Sequence, residues 1–266
     1  MRLVVLWRFT NERFAPWVTV PIAGLLYPAS ARLWRPGPLE AAAGALATLL
    51  GLLCLRIADD LADLGIDRGL HPERGLPSGR IDAAQLRRAG LLLGATLVAL
   101  ESSSLWRLAF FLGGSAFYRV WYAAFRSRVH RVARPFLSNL VFPCAVLHGA
   151  GPVGWRAAIG LALFAWLAAV SHEFAHNVDG YAALLGARGT AILSSALFAA
   201  AAIAAASIWL DLGRPAPFGV VLAAAAGGLG FLQARLMREP GPRHARALYR
   251  AGILFGLAPA VGILLG

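Results

Sequence analysis

Four of the chain's 13 acidic residues crowd into nine positions: Asp59, Asp60, Asp63 and Asp67. On a continuing helix, Asp60, Asp63 and Asp67 stand at i, i+3 and i+7, which puts three carboxylates on one face. Like charges this close raise one another's pKa, so a fold that keeps them together needs a counter-ion. A hard divalent cation serves. Mg²⁺ takes oxygen ligands and, held by a few carboxylates, completes its shell with waters and substrate phosphates. Arg74 and Arg80 follow in the stretch 71–80, and a guanidinium grips phosphate oxygens through a planar fork. Aspartates, Mg²⁺ and arginines together describe a diphosphate site, whose chemistry is stabilising charge on a leaving diphosphate. The competing reading is a solvated helix end with scattered acids.

A second polar stretch offers different chemistry. His172-Glu173-Phe174-Ala175-His176 is a literal H-E-x-x-H, which on a helix sets two histidines one turn apart beside a glutamate, the zinc-protease arrangement. That reading needs a third ligand and leaves residues 59–80 unexplained. A third reading takes these polar residues as the cap of an apolar helix. Intramembrane carboxylates also suit a non-enzymatic cation transporter. Arg8, Asn11, Glu12 and Arg13 precede the first apolar run, and read either as an interfacial anchor or as part of the lining of the same cavity.

The elements that must position these groups are apolar helices. Of 266 residues, 59% are hydrophobic and 14% charged, against about 25% charged in soluble domains. Runs long enough to span a bilayer recur at about 16–34, 39–57, 88–104, 105–122, 136–153, 155–172, 189–210, 216–236 and 249–265. The expected fold is an all-α membrane protein of nine transmembrane helices around a central cavity, with residues 1–266 as one transmembrane domain. No cleavable leader is expected, because the apolar stretch Leu3–Trp7 is short and runs into Arg8. Cys54 and Cys144 fall inside spans, so no disulfide is expected.

The net charge of +12 comes from 25 arginines without a lysine. With an inside amino terminus and nine spans, 20 arginines fall on one side and five on the other. Basic residues stay cytoplasmic. The expected topology is therefore multi-pass, in a bacterial-type inner membrane, with the amino terminus and the active site facing the cytoplasm. Basic residues confined to short loops at one membrane face argue against a nucleic-acid partner.

The segment 59–67 resembles the NDxxDxxxD motif between spans 2 and 3 of the UbiA superfamily of intramembrane prenyltransferases, with Asp59 in the asparagine slot. The stretch 72–80, Pro-x-Arg-x-Leu-Pro-Ser-Gly-Arg, is also typical of that family. The resemblance implies an Mg²⁺-dependent transfer of a prenyl group from a prenyl diphosphate to an aromatic or lipid-like acceptor, with the apolar tail among the spans. It implies metal-holding roles for Asp60, Asp63, Asp67 and Glu173, and substrate-side roles for Asp59, Arg74 and Arg80. The family's YxxxK motif is met by Tyr122 and Arg126, which at i and i+4 can face one ligand; an aromatic belt with snorkelling arginines competes. Its second acidic motif, DxxxD, is met by Glu173 and Asn177, with Asp179 close by as a further candidate to position a metal or take a proton. Some members of the superfamily are terpene cyclases, in which the cation is quenched within its own chain, and the weakened second motif is compatible with that outcome.

Overall fold

A computed structural model describes residues 3–13, 16–32, 37–102, 104–125, 128–150, 155–176 and 178–265; for residues 3, 16–18, 21, 22, 122, 123, 155, 176, 178–180, 242 and 249 the description is of the backbone alone. Every regular element among the described residues is helical: α1 (Leu3–Arg13), α2 (Pro16–Arg32), α3 (Pro38–Ala62), α4 (Leu64–Leu70), α5 (Ala83–Glu101), α6 (Leu105–Val120), α7 (Arg134–Ser138), α8 (Val141–Ala150), α9 (Trp155–His176), α10 (Val178–Asp211), α11 (Ala216–Arg238) and α12 (Pro242–Leu265). Local chemistry sets several starts. Pro38 opens α3, where its missing N–H costs nothing. Asp82 caps α5 by accepting the Gln85 N–H at 2.8 Å, and Ser104 caps α6.

Six of these helices are long and apolar enough to cross a membrane: α3, α5 and α11 over their whole length, and most of α9, α10 and α12. The other three expected spans coincide with shorter helices. The run 16–34 is α2, with 17 residues, near the lower limit for a bilayer. The run 105–122 is α6, with 16 residues, prolonged by a π-turn over Trp121–Phe125. The run 136–153 is divided between α7 and α8 around Asn139, whose side-chain amide donates to the Pro135 carbonyl at 2.8 Å.

The chain forms two compact units, Met1–Tyr27 with Gly37–Tyr122, and Pro28–Pro36 with Ala123–Gly266. In the first, α3 packs on α5, and α1 and α6 also pack on α5. Phe9 of α1 is fully buried among Leu53, Ile57, Leu76, Ile81 and Leu86. At the opposite ends of these helices lies a buried ionic cluster. The Arg107 guanidinium sits 3.1 Å from the Glu101 carboxylate, 3.5 Å from Glu40, and donates to the Tyr27 hydroxyl at 3.2 Å. Charges are kept within an apolar bundle only when paired in this way.

In the second unit α9 is central, packed on α8, α10 and α12, while α11 packs on α10 and α12. Hydrogen bonds stitch the helices where lipid offers no hydrophobic drive. The Ser171 hydroxyl donates to the Ser194 carbonyl at 2.8 Å, and the Ser194 hydroxyl donates back to the Ser171 carbonyl at 3.0 Å. The Gln233 amide donates to Ser194 Oγ at 3.1 Å and accepts from the Ser195 hydroxyl at 3.0 Å. Helix α10 is interrupted at Gly186, where φ is 72° and ψ 154°, a conformation open to glycine almost alone. Gly186→Ala is expected to destabilise the protein by about 1–3 kcal/mol, read as a lowered thermal unfolding midpoint in detergent.

Candidate functional site

The aspartate segment sits at the end of α3, within the first unit. The expected uninterrupted helix is not what forms. Helix α3 ends at Ala62, Asp63 takes φ −88° and ψ 0°, and α4 restarts at Leu64. The i→i+4 bonding nevertheless continues through the junction: the N–H of Asp63 donates to the Asp59 carbonyl at 2.9 Å, and that of Asp67 to the Asp63 carbonyl at 2.8 Å. Asp59, Asp63 and Asp67 therefore follow one another on successive turns.

Asp60 is set apart by its partners. It is only 4% exposed. Its Oδ2 accepts from Arg13 Nε at 2.7 Å and its Oδ1 from Arg13 Nη2 at 2.9 Å. Arg56 Nη2 lies 2.9 Å from the same Oδ1, while Arg56 Nη1 reaches Asp59 at 3.3 Å. The hydrogen bonds that Arg13 donates to the Asp60 carboxylate raise the Arg13 pKa, against the opposing effect of burial. The Nε–H of Arg56 is buried and meets no acceptor among the described residues.

The loop after α4 closes over this end. Ile81 N–H donates to the Gly75 carbonyl at 2.8 Å, and Gly79 takes a positive φ of 78° to make the turn. Arg74 Nη1 pairs with Asp67 Oδ2 at 3.0 Å. Arg80 is turned back on its own loop, donating to Ser78 Oγ at 3.1 Å and to the Glu73 carbonyl. The loop is clamped to α1 by the Gly75 N–H, which donates to Glu12 Oε1 at 2.6 Å. A Cβ on residue 75 would lie 2.5 Å from Glu12 Oε2, so glycine permits this approach.

The remaining expected site residues lie elsewhere in the chain. Tyr122 falls in the π-turn Trp121–Phe125, not in the α-helix that an i, i+4 pairing assumes. Its side chain and all of Arg126 lie outside the described residues. In the second unit, Glu173 Oε2 accepts from Asn139 Nδ2 at 3.0 Å. His172 turns to a cavity of about 10 Å³ that Ser171, Phe198, Gln233, Gly252 and Phe255 also line. Asn177 and the side chains of His176 and Asp179 lie outside the described residues.

Among the described residues, no group of three or more His, Cys, Asp and Glu is placed to hold a metal ion. Mg²⁺ makes no such demand, because it is usually held by one or two carboxylates and takes the rest of its shell from waters and substrate phosphates. One or two of the carboxylates of Asp59, Asp63 and Asp67 fit that mode of binding, Asp59 and Asp67 each meeting a guanidinium through one oxygen. Asp60, both of whose oxygens face guanidinium groups, offers it less.

Glu12 and Arg13, which the sequence allows as an interfacial anchor or as cavity lining, are brought by the fold to the loop at Gly75 and to Asp60 respectively. The signal available was an acid and a base side by side at the end of a helix whose apolar face holds Phe9. Asn139 carried no readable signal.

No protein-family model matches the sequence, and no curated protein matches it. Solved structures do. The solved structure of a digeranylgeranylglyceryl phosphate synthase superposes with a TM-score of 0.73 at 16% identity, covering 99% of this chain and 100% of that one. The ligand-free structure of a UbiA homologue from Aeropyrum pernix K1 gives the same TM-score and identity, over 93% of this chain and 97% of that one. The protein thus has the fold of the UbiA-type membrane proteins over nearly its whole length.

Proposed function

We propose that this protein ionises a prenyl diphosphate at the membrane face and transfers the prenyl group to an acceptor. The observation that carries this is the aspartate segment 59–67 with the arginine-bearing loop 71–82 folded over it, at the end of a membrane-length helix. The UbiA-type fold supports the same reading.

One or two of the carboxylates of Asp59, Asp63 and Asp67 would hold Mg²⁺, which supplies charge neutralisation for the diphosphate. Arg74, already beside Asp67, stands ready to contribute a guanidinium to the phosphate oxygens. Arg80, Tyr122 and Arg126 are further candidates for the phosphates, and Glu173, Asn177 and Asp179 for a second cation or for the proton leaving the acceptor. The allylic C–O bond breaks with its electron pair going to the diphosphate oxygen. The carbocation then takes an electron pair from an aromatic ring or a lipid-like alcohol, and the acceptor loses a proton. The named product of one structural neighbour, digeranylgeranylglyceryl phosphate, is in keeping with a lipid-like acceptor.

A cyclase that quenches the cation within its own chain is the second reading, favoured by Glu173 and Asn177 standing where two aspartates are expected. The zinc-protease reading is disfavoured by the engagement of Glu173 with Asn139. The test is to incubate purified protein and Mg²⁺ with a panel of prenyl diphosphates, with and without aromatic and alcohol acceptors. Diphosphate release with a prenylated acceptor is expected. A cyclic hydrocarbon or alcohol formed without acceptor identifies the cyclase, and absence of diphosphate release across the panel refutes both.

A further inference from the structure

Asp60 is more buried than its arginine-paired neighbours, with 5% side-chain exposure against 28% for Asp59 and 14% for Asp67. The Arg13 guanidinium engages both of its oxygens, at 2.7 and 2.9 Å, and Arg56 shares one of them at 2.9 Å. A fork-on-fork pair of this kind is the strong form of a charge-assisted hydrogen bond. At 5% side-chain exposure, removing Arg13 takes the fork from a buried carboxylate and leaves it Arg56 on one oxygen, while removing Asp60 takes from Arg13 the acceptor of both its hydrogen bonds. Arg13 is itself held in place, because α1 is fixed by the buried Phe9 on one side and by the Glu12–Gly75 hydrogen bond on the other. A cation seeking Asp60 would have to displace two guanidinium groups and loosen α1.

We propose that Asp60 is a positioning residue rather than a cation ligand: it anchors Arg13, and through Arg13 the whole of α1, to the aspartate segment. A divalent cation then draws on one or two of the carboxylates of Asp59, Asp63 and Asp67, of which Asp59 also meets Arg56 and Asp67 meets Arg74, each through one oxygen. This assignment rests on the diphosphate reading only in its second half. The anchoring of α1 stands on the contacts themselves.

Two readouts on purified protein in detergent separate the halves. The first is amide hydrogen exchange of residues 3–13. Asp60→Asn is expected to speed it by about tenfold or more, the equivalent of 1.4 kcal/mol of lost closure, while Asp63→Asn leaves it unchanged. The second is Mn²⁺ binding followed by electron paramagnetic resonance. Arg13→Gln releases Oδ2 of Asp60, leaving Arg56 on Oδ1, without touching an aspartate, and its Mn²⁺ affinity is expected to stay within about threefold of the parent. Asp63→Asn, which takes one charge from the ligand set, is expected to lose about tenfold or more.

An Arg13→Gln protein that binds Mn²⁺ about tenfold more tightly overturns the proposal, because it shows that Arg13 was blocking a ligand. So does an Asp60→Asn protein whose α1 exchanges at the parent rate. If Asp60→Asn does not fold, Arg13→Gln supplies the exchange readout as well, with the same acceleration expected. A parent protein with no saturable Mn²⁺ site would refute the cation site of the proposed function, while the exchange result still decides the anchoring of α1.

Discussion

Asp63→Ala is expected to lower the rate of diphosphate release by at least about a hundredfold, the loss typical when one preorganised electrostatic group is removed from a reacting centre. The substitution is clean because the backbone at this position, φ −88° and ψ 0°, is open to alanine. The bonds that carry the chain through the junction, Asp63 N–H to Asp59 and Asp67 N–H to Asp63, are all main-chain. The change therefore removes a carboxylate and keeps the main-chain bonds of the junction. Turnover with each prenyl diphosphate is the measurement, with thermal unfolding as the control for folding. An Asp63→Ala protein that turns over at near the parent rate would sink the assignment of the aspartate segment as the reacting site.

The largest stability effect is expected at Gly44. A Cβ added there would stand 1.8 Å from Tyr27 Cζ and 2.1 Å from its hydroxyl oxygen. Tyr27 is fully buried and cannot swing away cheaply. Its hydroxyl accepts from Arg107, which pairs in turn with Glu101. Gly44→Ala must therefore overpack the site, at about 1–3 kcal/mol, and pull an acceptor from a buried guanidinium, at about 1–3 kcal/mol more. The helix-propensity gain of about 1 kcal/mol for replacing glycine offsets only part of this. Gly51→Ala on the same helix meets no atom within 4 Å and is the matched control, expected to be neutral or stabilising. Thermal midpoints in detergent decide. Equal midpoints for the two variants would show that Tyr27 does not pack on Gly44 as described.

Both predictions concern α3, and they differ in what announced them. The acidic cluster at its end was readable because it is local: four aspartates within nine residues define their own spacing on any helix. The Tyr27–Gly44 contact was not. A glycine in an apolar run carries no mark of what will approach it, and Tyr27 belongs to a different helix. The same division runs through the site. Arg74 reaches Asp67 from seven residues away, within the range that a loop of fixed length allows. Arg13 reaches Asp60 across 47 residues, which depends on where α1 comes to rest.

The membrane character was legible because transfer from water to lipid acts on each segment separately, so six membrane-length helices follow from apolar runs alone. The remaining expected spans were less secure for the same reason. Hydropathy does not register the π-turn at Trp121–Phe125 or the break at Asn139, since both arise from backbone bonding and side-chain competition.

By itself, the sequence determined an all-helical chain rich in membrane-length apolar runs, an acidic segment at the end of one of them, and arginines close behind it. These are properties of residue type and short spacing. Only the tertiary structure decided that the helix breaks at Asp63, that Asp60 is buried against Arg13 and Arg56, and that α1 is clamped to the loop through Glu12. Those outcomes turn on which side chains can reach one another once the apolar faces have packed, and a carboxylate in an apolar setting takes the nearest guanidinium that packing brings to it.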